Sequence, residues 1–236
     1  MNPAVMKNPL IIALDVDSAE QAAALVKRLG DAAGFYKVGM ELYAAAGMDF
    51  VRRLTGAGKR VFLDLKMYDI GETVRRAVAR VAASGAALTT VHGSGPVMRA
   101  AVAGRGDSPL QLLGVTVLTS FDQEDLADLG YPCSVADLVA LRVRKAMDAG
   151  LDGLVCSPLE VAAVRLLAGP KAILVTPGVR SAGVGQGDQK RVATPAEAIR
   201  DGADYLVVGR QVTRAEDPRR EIEKILDEIQ AGAAQR

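Results

Sequence analysis

Short runs of Val, Ile and Leu punctuate the chain, and between them apolar residues recur with a helical period. The runs are LIIALDV (10–16), FYKVG (35–39), RVFLDLK (60–66), ALTTVHG (87–93), LLGVTVLT (112–119), GLVCS (153–157), AILVTPG (172–178) and YLVVGR (205–210). The stretches between them read as helices. SAEQAAALVKRLG (18–30) offers Ser18 as an N-cap and Gly30 as a stop. GETVRRAVARVAASG ends in the same way at Gly85, and ATPAEAIRDG starts with Thr194 as a cap and Pro195 at the first helical position. Strict strand–helix alternation implies a parallel sheet. Eight such units in 236 residues match the (β/α)8 TIM barrel, whose usual length is about 250 residues. A doubly wound open sheet normally has fewer strands, and no Gly-x-Gly-x-x-Gly follows the first strand to support a dinucleotide site. No linker interrupts the pattern, which predicts one catalytic barrel domain over 1–236. The segment PGVRSAGVGQGDQKRVATP (177–195) has neither period and directly follows the seventh strand. A structureless stretch of this length suits a lid, here a loop closing over phosphate at about 177–193, or else a surface insertion.

Composition narrows the classes. Half of the residues are hydrophobic, enough for a sizeable core. The net charge is +1 with no long run of one sign, which argues against a general nucleic-acid binder but leaves a small anionic ligand open. Cys133 and Cys156 are too few for a disulfide framework, and the opening MNPAVMKNPL has no apolar core of signal-peptide length. No stretch approaches the about 18 apolar residues of a membrane span. The chain reads as cytoplasmic.

The chemistry gathers at the strand ends. FLDLKMYDI (62–70) places Asp64, Lys66 and Asp69 at the end of the third strand, although burying a charge is costly unless it is paired. In a barrel the active site lies at the carboxyl ends of the strands. There, strand one ends with Asp15 and Asp17, strand two carries Lys37, strand four ends at His92, and strand five at Thr119 and Ser120. Strand seven leads to Arg180 and strand eight to Gly209 and Arg210. Alternation puts Asp64 and Lys66 on one face, with Lys37 beside them on the neighbouring strand. Alternating signs would offset each other's desolvation and hold both lysines protonated. The same cluster also fits a structural ion-pair ladder at the rim. Asp69 does not share that face; it falls near the start of the third helix, where capping is an ordinary role for Asp. After strand eight, backbone N–H groups could cradle a phosphate that Arg210 grips in bidentate fashion, with Arg180 and Gln189 closing from the preceding loop. The residues therefore point to a barrel enzyme acting on a small phosphorylated ligand, with a lysine as acid or base.

Read in order, IALDVD (12–17), Lys37 in YKVG, DLKMYDI (64–70), LTS (118–120), PGVR (177–180), GDQKR (187–191) and VVGR (207–210) resemble the orotidine 5′-phosphate decarboxylase family over nearly the whole chain. The D-x-K-x-x-D element is shared with related sugar-phosphate enzymes; its combination with Lys37, GDQKR and VVGR is far more specific. The resemblance implies removal of CO2 from orotidine 5′-phosphate to give UMP in pyrimidine biosynthesis, with no metal and no organic cofactor. It implies a catalytic array of Lys37, Asp64, Lys66 and Asp69, with Lys66 as proton donor. It also implies a homodimer in which Asp69 and Thr73 enter the partner's site. Asp15 and Thr73 would contact the ribose, Thr119 the pyrimidine amide edge, and Gln189, Gly209, Arg210 and Arg180 the phosphate. Tyr68 and Gly71 stand where bacterial members often have His and Pro, and Ser181 where Pro often follows the arginine. The family mechanism gives His92 no role, which leaves it as a hydrogen-bonded strand-end residue. Two other functions compete. A metal-dependent sugar-phosphate lyase on the same scaffold places a carboxylate where this chain has Lys37. A non-catalytic nucleotide-phosphate binder would keep Gly209 and Arg210 but have no need of Lys66.

Overall fold

The computed structural model describes residues 8–182 and 191–233. Eight parallel strands close in sequence order, each hydrogen-bonded to the next and the last to the first. The elements run β1 (Leu10–Ala13), α1 (Ala19–Leu29), β2 (Phe35–Gly39), α2 (Met40–Gly56), β3 (Arg60–Met67), α3 (Gly71–Ala82), β4 (Leu88–Val91), α4 (Gly95–Arg105) and β5 (Gln111–Val115). They continue with α5 (Gln123–Asp128), α6 (Val135–Asp148), β6 (Gly153–Val155), α7 (Val161–Ala168), β7 (Ile173–Pro177), α8 (Pro195–Arg200), β8 (Tyr205–Val208), α9 (Arg210–Thr213) and α10 (Pro218–Ala233). This is the (β/α)8 barrel that the alternation predicts.

The helix signals act locally as their chemistry requires. Ser18 accepts the N–H of Gln21, and Gly30 caps α1. Thr194 and Glu197 form a reciprocal capping box around Pro195. The fifth strand is shorter than its apolar run. It ends at Val115, and by Leu118 the backbone has turned, with the Leu118 carbonyl accepting the N–H of Phe121.

Two-residue periodicity splits the core into two layers. Ile11, Ala13, Phe35, Phe62, Leu88, Leu113, Val175 and Val207 form one cluster that fills the barrel. Their neighbours Ile12, Tyr36, Val38, Val61 and Leu63 join the larger cluster beneath the helices. Arg60 has the same parity as Phe62, at the opposite end of β3 from the strand's carboxyl terminus. It stacks 4.0 Å from the Phe35 ring centroid and donates to the Tyr205 hydroxyl at 3.1 Å. With the interior filled below, an open cleft lies at the carboxyl ends of the strands.

Candidate active site

A cleft of about 670 Å3 occupies that end. Its floor is apolar, with Phe62, Val155 and Val207 among its residues, and its walls carry Asp15, Lys37, Asp64, Lys66, Thr119, Arg180, Gly209 and Arg210. Eight of the sequence-predicted site residues thus meet in one place. Asp69 and Thr73 are exposed and do not line the cleft of their own chain. Gln189 lies outside the described residues.

Two ion pairs define the cleft. Lys37 Nζ lies 2.7 Å from Asp15 Oδ1, and Lys66 Nζ lies 2.8 Å from Asp64 Oδ2. The Lys37 and Asp64 side chains are each only 12% exposed, Lys66 33% and Asp15 53%. A half-buried pair of this kind adds little net stability, because desolvation cancels most of the attraction. The route of Lys37 to Asp15 depends on Gly39, where a Cβ would stand 2.8 Å from Nζ and 3.3 Å from the carboxylate oxygen. Lys37 therefore pairs with Asp15 on β1's trailing segment. In register it faces Phe62, while Gly39 faces Asp64.

The Asp64–Lys66 pair depends on an irregularity in β3. The β3–β4 register runs Phe62–Leu88 and Leu63–Thr89, then resumes at Met67–Val91. Three residues of β3 therefore oppose Thr90 alone. Within this bulge Lys66 has φ +48°, which makes it the one non-glycine residue with positive φ among the described residues. That conformation costs roughly 1–2 kcal/mol for a residue with a Cβ. Strand parity predicts the meeting of Asp64 and Lys66, but the bulge is what aims them.

Asp69 is not the cap of α3. The N-cap is Ile70, which makes no side-chain cap bond, and among the described residues Asp69 accepts only the adjacent Ile70 N–H, at 2.6 Å. Tyr68 and Ile70 beside it are 65% and 77% exposed. The capping role that spacing allowed for Asp69 is thus not the one it has here.

His92 follows β4, its N–H bonded to the Met67 carbonyl at 3.0 Å and its Nε2 3.4 Å from Arg142 Nη1. Burial, then the Arg142 and Lys66 cations, push its pKa down, so its ring is neutral near pH 7. Arg142 also donates to the Thr116 carbonyl and the Tyr131 hydroxyl. Cys156 lines the cleft but is buried, and burial pushes its thiol up to about 12, which disqualifies it as a nucleophile. Both cysteines are free. Among the described residues no three His, Cys, Asp or Glu side chains gather as a metal site, and no helix is long and apolar enough to cross a membrane.

The segment that sequence reading treats as a lid is pinned at its base. Val179 and Ala193 form a parallel bridge, and the Arg180 N–H donates to the Ala193 carbonyl at 3.0 Å. Arg191, from the GDQKR motif, donates to the carbonyls of Val117 (3.2 Å) and Leu118 (2.9 Å) and pairs with Glu160. It thereby ties the base of this segment to the residues just before Thr119. Sequence reading missed this tie and also missed Thr90. A buried threonine two residues before a strand-end histidine was the available signal for Thr90, and it looks like any β-branched strand residue.

A closed parallel barrel with paired lysines and aspartates at its catalytic rim defines a (β/α)8-barrel enzyme. Comparison with known proteins narrows the class. A model described as the orotidine 5′-phosphate decarboxylase / HUMPS family matches residues 8–225. Orotidine 5′-phosphate decarboxylase of Rhodopseudomonas palustris (strain BisB5) is 53% identical over 94% of this chain and 95% of its own. That of Methylobacterium sp. (strain 4-46) is 52% identical over 96% and 98%. A crystal structure of orotidine 5′-phosphate decarboxylase from Lactobacillus acidophilus superposes with a TM-score of 0.81 at 38% identity, covering 94% of this chain and 99% of that one. The chain belongs to the orotidine 5′-phosphate decarboxylase family, and its enzyme class is that of a carboxy-lyase.

Proposed function

We propose that this chain decarboxylates orotidine 5′-phosphate to UMP without metal or organic cofactor, with Lys66 as the proton donor to C6. The observation that carries this reading is the Lys66–Asp64 pair at 2.8 Å in the cleft of a barrel whose relatives are named for this reaction. Loss of CO2 leaves an anion in the plane of the ring, with no adjacent carbonyl to delocalise it. An ammonium held at that position stabilises the charge as it develops and then gives its proton to the same carbon. Asp64, beside the departing carboxylate, favours loss of that negative charge. Lys37 keeps the local field balanced around Lys66 and is itself held by Asp15, which also faces the ribose. Thr119 meets the pyrimidine amide edge.

Arg180, Gly209, Arg210 and Gln189 bind the phosphate, and closing the 177–193 segment over it converts remote binding energy into transition-state stabilisation. The enzyme acts as a cytoplasmic homodimer in which Asp69 and Thr73 serve the partner's cleft. The exposure of both residues in the single chain, and of Tyr68 and Ile70 around Asp69, supports that assignment.

The test is direct: purified protein mixed with orotidine 5′-phosphate, followed by ultraviolet absorbance and by chromatography of UMP. Absence of UMP would overturn the reading. Turnover that disappears with a chelator and returns with Mg2+ would instead favour a metal-dependent lyase.

A further inference from the structure

The bulge in β3 leaves one side chain facing three residues. Thr90 is buried and stands in the barrel interior opposite Asp64, Leu65 and Lys66. Its Oγ1 donates to Asp64 Oδ1 at 2.8 Å and accepts the backbone N–H of Lys66 at 2.8 Å. The directions follow from the groups: an ionised carboxylate only accepts and a backbone N–H only donates, so the hydroxyl does both. With the Lys66 Nζ–Asp64 Oδ2 contact, this closes a ring of three bonds, running from the Lys66 ammonium through Asp64 and Thr90 to the Lys66 backbone.

We propose that Thr90 is a positioning residue for the reaction: it orients the Asp64 carboxylate and stabilises the left-handed backbone of Lys66, and so sets where the ammonium sits. The inference rests on the proposed role of Lys66. The bulge has removed the ladder partner that the Lys66 N–H would have in a regular sheet, and a buried donor without a partner is costly. The adjacent Thr89 makes the contrast. It points outward, and its hydroxyl bonds to the Leu63 carbonyl, an ordinary stitch between strands. Thr90 instead joins the two residues whose relative placement the chemistry requires.

Two variants separate the hydroxyl from the shape. Thr90→Val keeps the volume and loses the hydroxyl; Thr90→Ser keeps the hydroxyl and loses a methyl group. For Thr90→Val, kcat on orotidine 5′-phosphate should fall about 10- to 100-fold, the usual worth of a hydrogen bond to a charged group. KM and the affinity for UMP should stay within about threefold, because the phosphate grip is untouched. Thr90→Ser should recover most of the lost kcat. An unchanged kcat in Thr90→Val, or an equal fall in both variants, would overturn the proposal, since the effect would then follow packing. A crystal structure of Thr90→Val gives a readout that does not depend on the reaction: the Asp64 carboxylate should rotate and Lys66 should leave positive φ. If both stay in place, Thr90 does not position them. A wild-type protein without decarboxylase activity would count against the proposed function alone and leave this second test standing.

Discussion

If each cleft takes Lys66 from one chain and Asp69 from the other, two dead variants should rescue each other. Lys66→Ala removes the ammonium from the cleft. Asp69→Ala removes a carboxylate that is exposed, absent from the lining of its own cleft, and bonded to the neighbouring Ile70 N–H. Each homodimer should be nearly inactive. In a mixed dimer, one cleft carries both lesions, while the other combines an intact Lys66 with an intact Asp69 from across the two-fold axis. Random pairing makes about half of the dimers mixed, and one of the two clefts in each is whole, so about a quarter of wild-type activity should return. The assay is co-refolding of equal amounts of the variants. Initial rates are followed by absorbance, and dimer composition is measured by native mass spectrometry with one variant carrying a mass tag. If both homodimers are inactive, mixed dimers form and activity still stays near zero, each cleft is built within one chain and Asp69 serves its own chain rather than its partner's cleft.

Arg210→Ala should lower kcat/KM for orotidine 5′-phosphate about 10- to 100-fold, the effect of losing a charge-assisted contact. An equal loss with the unphosphorylated nucleoside would show that Arg210 does not read phosphate. Exhaustive chelation should leave turnover unchanged, as rates before and after treatment with a chelator will show. For His92, whose folded pKa lies below its ordinary 6.5, acidification charges the unfolded chain before the folded one. Its contribution to stability is therefore complete above 6.5 and lost as pH falls from there towards the folded value. The melting temperature of His92→Gln should fall less steeply than that of the wild type from pH 6.5 to about pH 5; parallel slopes would refute this.

The barrel was legible because every strand is a compact apolar run and the caps at Ser18, Thr194 and Pro195 are strong local signals. The rim charges were legible because a barrel's active site lies at the carboxyl ends of its strands, so polar residues there could be read together. Strand five was read too long because VTVLT stays apolar after the backbone leaves the sheet at Val115. The partner of Lys37 depends on stagger between strands, which places Lys37 level with Phe62 and leaves Asp15 within reach across Gly39. Strand parity carries no register and cannot contain that information. The bulge was invisible for a related reason: parity gives the same answer for Asp64 and Lys66 with or without it. Only the three-to-one pairing against Thr90 reveals how the pair is aimed.

The left-handed backbone of Lys66 sets catalytic fitness and robustness against each other at a single position. A lysine there is held at φ +48° against its own preference. Glycine would take that conformation without strain, so Lys66→Gly should be more stable than Lys66→Ala by about 1 kcal/mol, measured by denaturant unfolding. A directed-evolution campaign that selects only for heat resistance would therefore tend to replace the proposed proton donor, and libraries built on this scaffold should hold position 66 fixed.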